Sequence, residues 1–151
     1  MRAINHALTG AVIGLAIHQP LIAPISAVAS HYLCDMLPHF GRNREDTEEL
    51  KSIFFRNLLY LDALMCGILV SAIAYIHPVY WKQAVLCAFL AAAPDFLSAP
   101  KYFTVRRNKK WKPSLYSRFA SSIQWFERPI GAFVEIAWFV AGLTLIIPCV
   151  M

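Results

Sequence analysis

The segment HYLCDMLPHF, at positions 31–40, places three ionisable side chains at four-residue spacing in an apolar part of the chain: His31, Asp35 and His39. Residues i and i+4 of a helix project from one face, so His31 and Asp35 are positioned to bind one ion together. Histidine pairs at this spacing bind zinc in other helical sites. Pro38 disfavours helical geometry in the residue before it, so His39 is expected in a turn above the pair, as a ligand or a proton donor.

Four more ionisable residues fall at the ends of apolar segments, at what the sequence predicts to be the same level of a membrane. They are His6, Asp62, Asp95 and Glu135. A charge in hydrocarbon costs about 2.5–3.5 kcal/mol on insertion scales, so such residues normally face a bundle interior and pair or bind something. A shared cation would neutralise several of them at once. The grouping therefore favours a metal site.

Each residue also has a structural interpretation. His6 could lie at the membrane interface, and Asp95 could cap a turn beside its neighbouring proline. The alternative pairings are His31 with Asp35, Asp62 with Arg56, and Glu135 with Arg128. Asp62 and Glu135 are expected to assist the site rather than to bind the ion.

The elements that must position these residues are apolar helices. The 151-residue chain is 58% hydrophobic and 15% charged, with a mean hydropathy of +0.51, whereas soluble domains carry about 25% charged residues. Apolar runs separated by proline, polar or charged stretches predict helices at about 4–17, 21–37, 58–76, 79–97 and 130–150. The last three are long enough to span a bilayer. The first two either span it or form a re-entrant hairpin, which Gly10 and Gly14 would allow to pack closely.

The predicted fold is therefore all-α: a polytopic membrane helical bundle of about five transmembrane or re-entrant helices, plus a cytoplasmic interfacial helix. We expect a single integral membrane domain over 1–151 with a basic cytoplasmic loop at 98–129. Thirteen of the 14 basic residues, Arg42 and Arg44 among them, lie on one predicted face, and Lys82 is the exception. The excess of cations predicts a cytoplasmic amino terminus and an outer carboxyl terminus. The net charge of +5 then requires no nucleic-acid partner.

The basic loop also carries aromatic and aliphatic residues at helical spacing: Leu115, Phe119, Ile123 and Phe126. This pattern predicts a short amphipathic helix in the membrane interface, positioned as a lid over the ionisable residues. Juxtamembrane cations attract anionic lipid at about 1 kcal/mol each, so the expected partners are membrane lipids, with anionic lipid at the 101–128 loop. The four cysteines are isolated in apolar segments and predict no thiolate site.

NHALTGAVIG near the start, then HYLCDMLPHF and PDFL, resemble small bacterial inner-membrane proteins described as membrane-bound metal-dependent hydrolases. The family pattern H-x4-G followed by H-x3-D-x2-P-H aligns over about the first hundred residues. The resemblance implies the following metal-site residues: His6, His31 and Asp35, with His39 and Asp95 as further members. It also implies a bacterial inner membrane. The chain departs from the family in having no histidine after His77, and Ser121, Ser122 and Gln124 occupy that region.

The expected function is a membrane-embedded metal-dependent hydrolase that acts at the cytoplasmic interface on phosphoesters of lipids or other amphiphiles. The cofactor would be a divalent metal ion; zinc is favoured, with manganese and ferrous iron as alternatives. The expected metal ligands are His6, His31, Asp35 and Asp95, and the expected proton-transfer residues are His39, Asp62 and Glu135. The alternative is a non-catalytic membrane scaffold or accessory protein with a structural polar or metal cluster. The sequence indicates no oligomeric state.

Overall fold

The computed structural model describes residues 1–41 and 47–150, and within them the predicted all-α fold is confirmed. The helices are α1 (Ala3–Ala16), α2 (Ile22–Asp35), α3 (Thr47–Lys51), α4 (Ile53–Ile76), α5 (Trp81–Phe96), α6 (Ala99–Arg106), α7 (Leu115–Ile123) and α8 (Gly131–Val150). These residues contain no strand, and an isolated bridge joins His39 to Glu127. Arg42 and Arg44, counted above among the cytoplasmic cations, lie outside the described residues.

Within the described ranges, three helical segments are long and apolar enough to cross a membrane, as expected of a membrane protein. They are Ile53–Ile76, the 26 residues Trp81–Arg106 that comprise α5 and α6, and Gly131–Cys149. Helices α1 and α2 have 14 residues each. At 1.5 Å per residue each is about 21 Å long, which is shorter than a hydrocarbon core of about 30 Å. The structure therefore provides three candidate spans among the five predicted apolar helices.

Helix α1 lies at the centre of the bundle, where it packs along α5 and also contacts α2, α4 and α8. Two glycines permit the close approach to α5. A Cβ atom added to Gly10 would lie 2.2 Å from the carbonyl oxygen of Cys87, and one added to Gly14 would lie 2.6 Å from the Cα of Ala84. These glycines thus serve the contact between α1 and α5, and not the hairpin of the first two helices that the sequence suggested.

Helices α4 and α8 form the outer part of the bundle. Only 11% of the most apolar window of each is buried inside the protein, so their apolar side chains are left for lipid to cover. Helix α4 begins five residues earlier than predicted because the side chain of Ser52 caps it, accepting a hydrogen bond from the backbone NH of Phe55. It ends at Ile76, and the next residue, His77, caps it in a left-handed conformation with φ of 56°.

The segment predicted as a basic loop contains two helices. Helix α6 continues α5 after a two-residue turn, and its cationic composition gave no apolar signal in the sequence. Helix α7 is the predicted amphipathic helix, and the hydroxyl of Ser114 caps it by accepting from the backbone NH of Ser117. Its apolar residues Leu115 and Phe119 are 86% and 50% exposed. The surface that they form is suited to lie against a membrane.

Candidate metal centre

Three predicted ligands converge at one end of the bundle, although they come from three different helices. His6 of α1, His31 of α2 and Asp95 of α5 each offer a ligand atom, and these atoms lie within 4.8 Å of one another. Both histidines are buried and Asp95 is partly exposed. Helix ends that are far apart in sequence thus form one group of two imidazoles and a carboxylate, a donor set typical of zinc and related transition metals.

The hydrogen bonds of the two imidazoles leave one nitrogen of each without a proton. His31 Nδ1 lies 2.8 Å from the carbonyl oxygen of Ala91, and because a carbonyl only accepts, Nδ1 carries the hydrogen. His6 Nε2 lies 3.1 Å from Asp35 Oδ1 and donates to that carboxylate. In the neutral rings, the nitrogens with a free lone pair are then His31 Nε2 and His6 Nδ1. The latter is buried with no hydrogen-bond partner among the described residues.

This pattern matches the way proteins prepare histidine to bind a metal. One ring nitrogen donates to a carbonyl or carboxylate, which fixes the tautomer and ring orientation, and the other presents its lone pair to the ion. The two rings lie close together, with centroids 4.0 Å apart and an interplanar angle of 30°. A cation between them and Asp95 would satisfy His6 Nδ1, whose isolation is otherwise unfavourable. The residues present therefore fit a divalent metal ion.

Asp35 contacts both imidazoles but is not one of the three residues grouped above. Its Oδ1 accepts from His6, and its Oδ2 lies 3.5 Å from His31 Nε2 and accepts from Gln124 Nε2 at 2.7 Å. The amino group of Met1 also forms an ion pair with Oδ1. With these partners, Asp35 is placed to orient His6, whereas the Ala91 carbonyl orients His31. Its predicted role as a direct ligand remains a prediction.

Asp62 and Glu135 lie at the same end of the bundle and share a partner, Arg2. The Arg2 Nε atom lies 3.1 and 3.2 Å from the two carboxylate oxygens of Asp62, and the backbone NH of Arg2 donates to Glu135 Oε1 at 3.1 Å. The alternative partners suggested by sequence, Arg56 and Arg128, do not occupy these positions. Arg2 thus links the start of α1 to α4 and α8, and a catalytic role for either carboxylate stays a prediction.

His39 is buried in the segment that follows α2. Its Nδ1 donates to the carbonyl of Leu37 at 2.8 Å, and its own carbonyl accepts from the backbone NH of Arg128 at 3.1 Å. Burial lowers the pKa of His39 below its ordinary value of 6.5, so the ring is neutral at neutral pH. The structure places His39 against the start of α8, outside the group formed by His6, His31 and Asp95.

Three polar residues of this region were not assigned a role from sequence. Gln124 was noted only as a departure from the family pattern, yet it hydrogen-bonds to Asp35. Arg2 is one of the thirteen basic residues on the predicted cytoplasmic face, and it pairs with Asp62. Asn5 is buried and its Nδ2 donates to the carbonyl of Glu135 at 3.1 Å. In the sequence, a polar asparagine next to His6 within an apolar segment is the signal that could have identified Asn5.

Compared with protein-family models, with curated proteins and with solved structures, the chain gives no match in any of the three. The resemblance to membrane-bound metal-dependent hydrolases therefore stays a prediction from sequence. The geometry of the side chains is the basis on which a function can be assigned.

Proposed function

We propose that the protein is a membrane-embedded metal-dependent hydrolase whose divalent ion, with zinc favoured, is held by His6, His31 and Asp95. One observation carries the proposal: ligand atoms from three helices lie within 4.8 Å of one another, both histidines are buried, and His6 Nδ1 has no hydrogen-bond partner in the part of the chain that the structure describes. A buried polar group without a partner is unfavourable, so its presence in such a group favours an ion.

Different residues of the chain have different roles at the site. Asp35 and the carbonyl of Ala91 hold the imidazoles in one tautomer and orientation. A bound divalent ion supplies a Lewis acid that polarises a phosphoryl oxygen and lowers the pKa of water. The cavity bordered by Asp95 is also lined by the predicted proton-transfer residues, namely His39, Asp62 and Glu135. Their position supports a role for one of them in moving the proton of the attacking water.

The proposed location is a bacterial inner membrane, with the amino terminus and the metal site on the cytoplasmic side and the carboxyl terminus outside. The distribution of cations supports this orientation. Helix α7 and the exposed Trp125, with nearby arginines, would lie on anionic lipid. The proposed substrates are phosphoesters of lipids or other amphiphiles, because the site lies at the end of the bundle where their head groups would be.

Metal content tests the proposal. The protein is purified in a neutral detergent, and bound metal is measured for the wild type and for His6→Gln and His31→Ala. We expect about one ion per chain in the wild type and little in either variant. The matched control is His18→Gln, since His18 is exposed at the opposite end of α1, where it stacks on Tyr80 with centroids 4.1 Å apart. Equal metal in all four proteins would exclude the site.

The second candidate function is a non-catalytic scaffold, and the bonding of Asp35 favours it. Asp35 joins α1, α2 and the segment after α7, as a purely structural centre would. Turnover separates the two functions: a hydrolase releases product from a phosphodiester or lipid phosphoester, and that activity disappears in His31→Ala. Stoichiometric metal without turnover on any of these substrates would support the scaffold.

A further inference from the structure

A large cavity lies between α4, α5, α6 and α7, next to the candidate metal centre. Its volume is about 1290 Å³, which exceeds the roughly 300–1,000 Å³ of pockets that hold drug-sized ligands. Of the three grouped metal-site residues, Asp95 lines this cavity, whereas His6 and His31 are not among its lining residues. A molecule in the cavity would therefore meet the site on the side of the carboxylate.

One part of the cavity is apolar and runs along the membrane-spanning helices. It is lined on α4 by Cys66, Gly67 and Val70, and on α5 by Ala88, Phe89 and Ala92. Val70 lies eight residues from Asp62 on α4, so at 1.5 Å per residue the apolar part extends about 12 Å from the polar end. This is over a third of a hydrocarbon core of about 30 Å. A hydrocarbon chain fits such a surface, whereas a wholly polar ligand does not.

Gly67 borders open space in the apolar part of the cavity. A Cβ atom added there would meet no atom of residues 1–41 or 47–150 within 4 Å. This differs from Gly10 and Gly14 of α1, which are needed for helix contact. Space rather than packing surrounds Gly67, and a large side chain at this position would enter the cavity without displacing a helix.

The other part of the cavity is polar and contains arginines. Arg2, Arg56 and Arg118 line it together with carboxylates, Asp62, Asp95 and Glu135 among them. Arg2 is already paired with Asp62. By contrast, Arg56 Nε is buried with no hydrogen-bond partner among the described residues. A buried guanidinium NH without a partner is suited to accept an anion, and its planar group matches phosphate oxygens.

We propose that this cavity binds an amphiphile with a phosphate head group, the phosphate pairing with Arg56 and the hydrocarbon chain lying between α4 and α5 around Gly67. Reading this molecule as the substrate rests on the proposed function, whereas its binding does not. A divalent ion at Asp95 would add a second positive charge opposite Arg56. The phosphate would then contact cations on two sides while the chain remains in apolar surroundings.

Photolabelling of the metal-free protein tests the binding. Chelator-treated protein in neutral maltoside detergent is exposed to dodecyl phosphate that carries a photoreactive diazirine in its chain, and the labelled peptides are mapped. We expect saturable labelling of α4 and α5. Unlabelled dodecyl phosphate should compete at least tenfold better than dodecanol, because a charge-assisted hydrogen bond gives about that factor.

Two pairs of variants localise the ligand. Gly67→Trp should reduce labelling at least tenfold, while Ile68→Trp should not, because Ile68 is 53% exposed and does not line the cavity. Arg56→Gln should remove the preference for phosphate over dodecanol, while Lys82→Gln should keep it, since Lys82 lies at the start of α5 away from the polar part. Thermal unfolding confirms that each variant is folded.

Equal labelling of Gly67→Trp and Ile68→Trp, or equal competition by dodecyl phosphate and dodecanol in the wild type, would overturn the proposal. The metal proposal fails separately, because ligand binding is measured without metal and metal content is measured without ligand. A protein that binds dodecyl phosphate but holds no metal would refute the hydrolase and retain the amphiphile site.

Discussion

Replacing Gly10 by alanine should destabilise the protein and disturb the metal site together. The added Cβ would lie 2.2 Å from the Cys87 carbonyl oxygen and 2.7 Å from the Ala91 Cβ. Ordinary contact begins near 3.4 Å, so α1 and α5 must separate by about an ångström. Because one of the obstructing atoms is backbone, no side-chain rotation relieves the clash.

The size of the effect follows from two opposing contributions. Overpacking a tight contact costs about 1–3 kcal/mol, and the upper end applies where backbone must move. Alanine is favoured over glycine in a helix by about 1 kcal/mol. The free energy of unfolding should therefore fall by about 2 kcal/mol, which corresponds to a melting temperature lower by about 4–8 °C for a chain of this length.

Thermal unfolding in detergent measures the change, and Gly67→Ala is the matched control. Gly67 lies in a helix with open space around it, so its replacement gains helix propensity without a clash and should leave stability equal or higher. His6 lies on α1 and Asp95 on α5, so separation of these two helices should also weaken metal binding. Equal melting temperatures for the two variants would refute the proposed contact between α1 and α5.

Three further predictions concern the polar end of the bundle. Asp35→Ala should lower zinc affinity about 10–100-fold, because loss of a residue that orients a metal ligand has an effect of that size. Competition with a chelator measures the affinity, and an unchanged value would contradict the role of Asp35 in orienting the ligand. Because the pKa of His39 is lowered in the folded protein, the unfolded state binds the proton more readily, and stability is lost as pH falls below about 6.5. His39→Gln should therefore reduce the drop in melting temperature between pH 7.5 and pH 5.5. An identical drop in the variant and the wild type would exclude this contribution. The partly buried pair of Arg2 and Asp62 should show a coupling of about 1.5 kcal/mol in a double-mutant cycle of Arg2→Gln and Asp62→Asn; additive effects would show that the pair contributes nothing.

Much of the fold follows from hydrophobic patterning. The apolar runs predicted α1, α2, α4, α5 and α8, and proline placed several of their ends. The start of α4 was missed because a serine cap, and not an apolar residue, begins it. Helix α6 was missed because its cations resemble an ordinary cytoplasmic loop. Patterning also could not show that α1 packs mainly against α5, since that choice depends on which small residues face each other.

The convergence of the ionisable residues could be predicted, but their pairing could not. Their positions at helix ends placed them at one level, and His6, His31 and Asp95 indeed share a neighbourhood. Which carboxylate approaches which ring depends on helix rotation, and a linear sequence does not fix it. Gln124 illustrates the limit: it is 89 residues from Asp35, and no periodicity links the two.

X-ray absorption spectroscopy of zinc-loaded protein tests most directly whether His6 and His31 share one ion with Asp95. The predicted spectrum contains nitrogen and oxygen ligands at about 2.0–2.1 Å with two imidazoles per zinc, and His6→Gln should reduce the imidazole count to one. A sulfur ligand at about 2.3 Å, or an imidazole count unchanged in His6→Gln, would contradict the proposed centre.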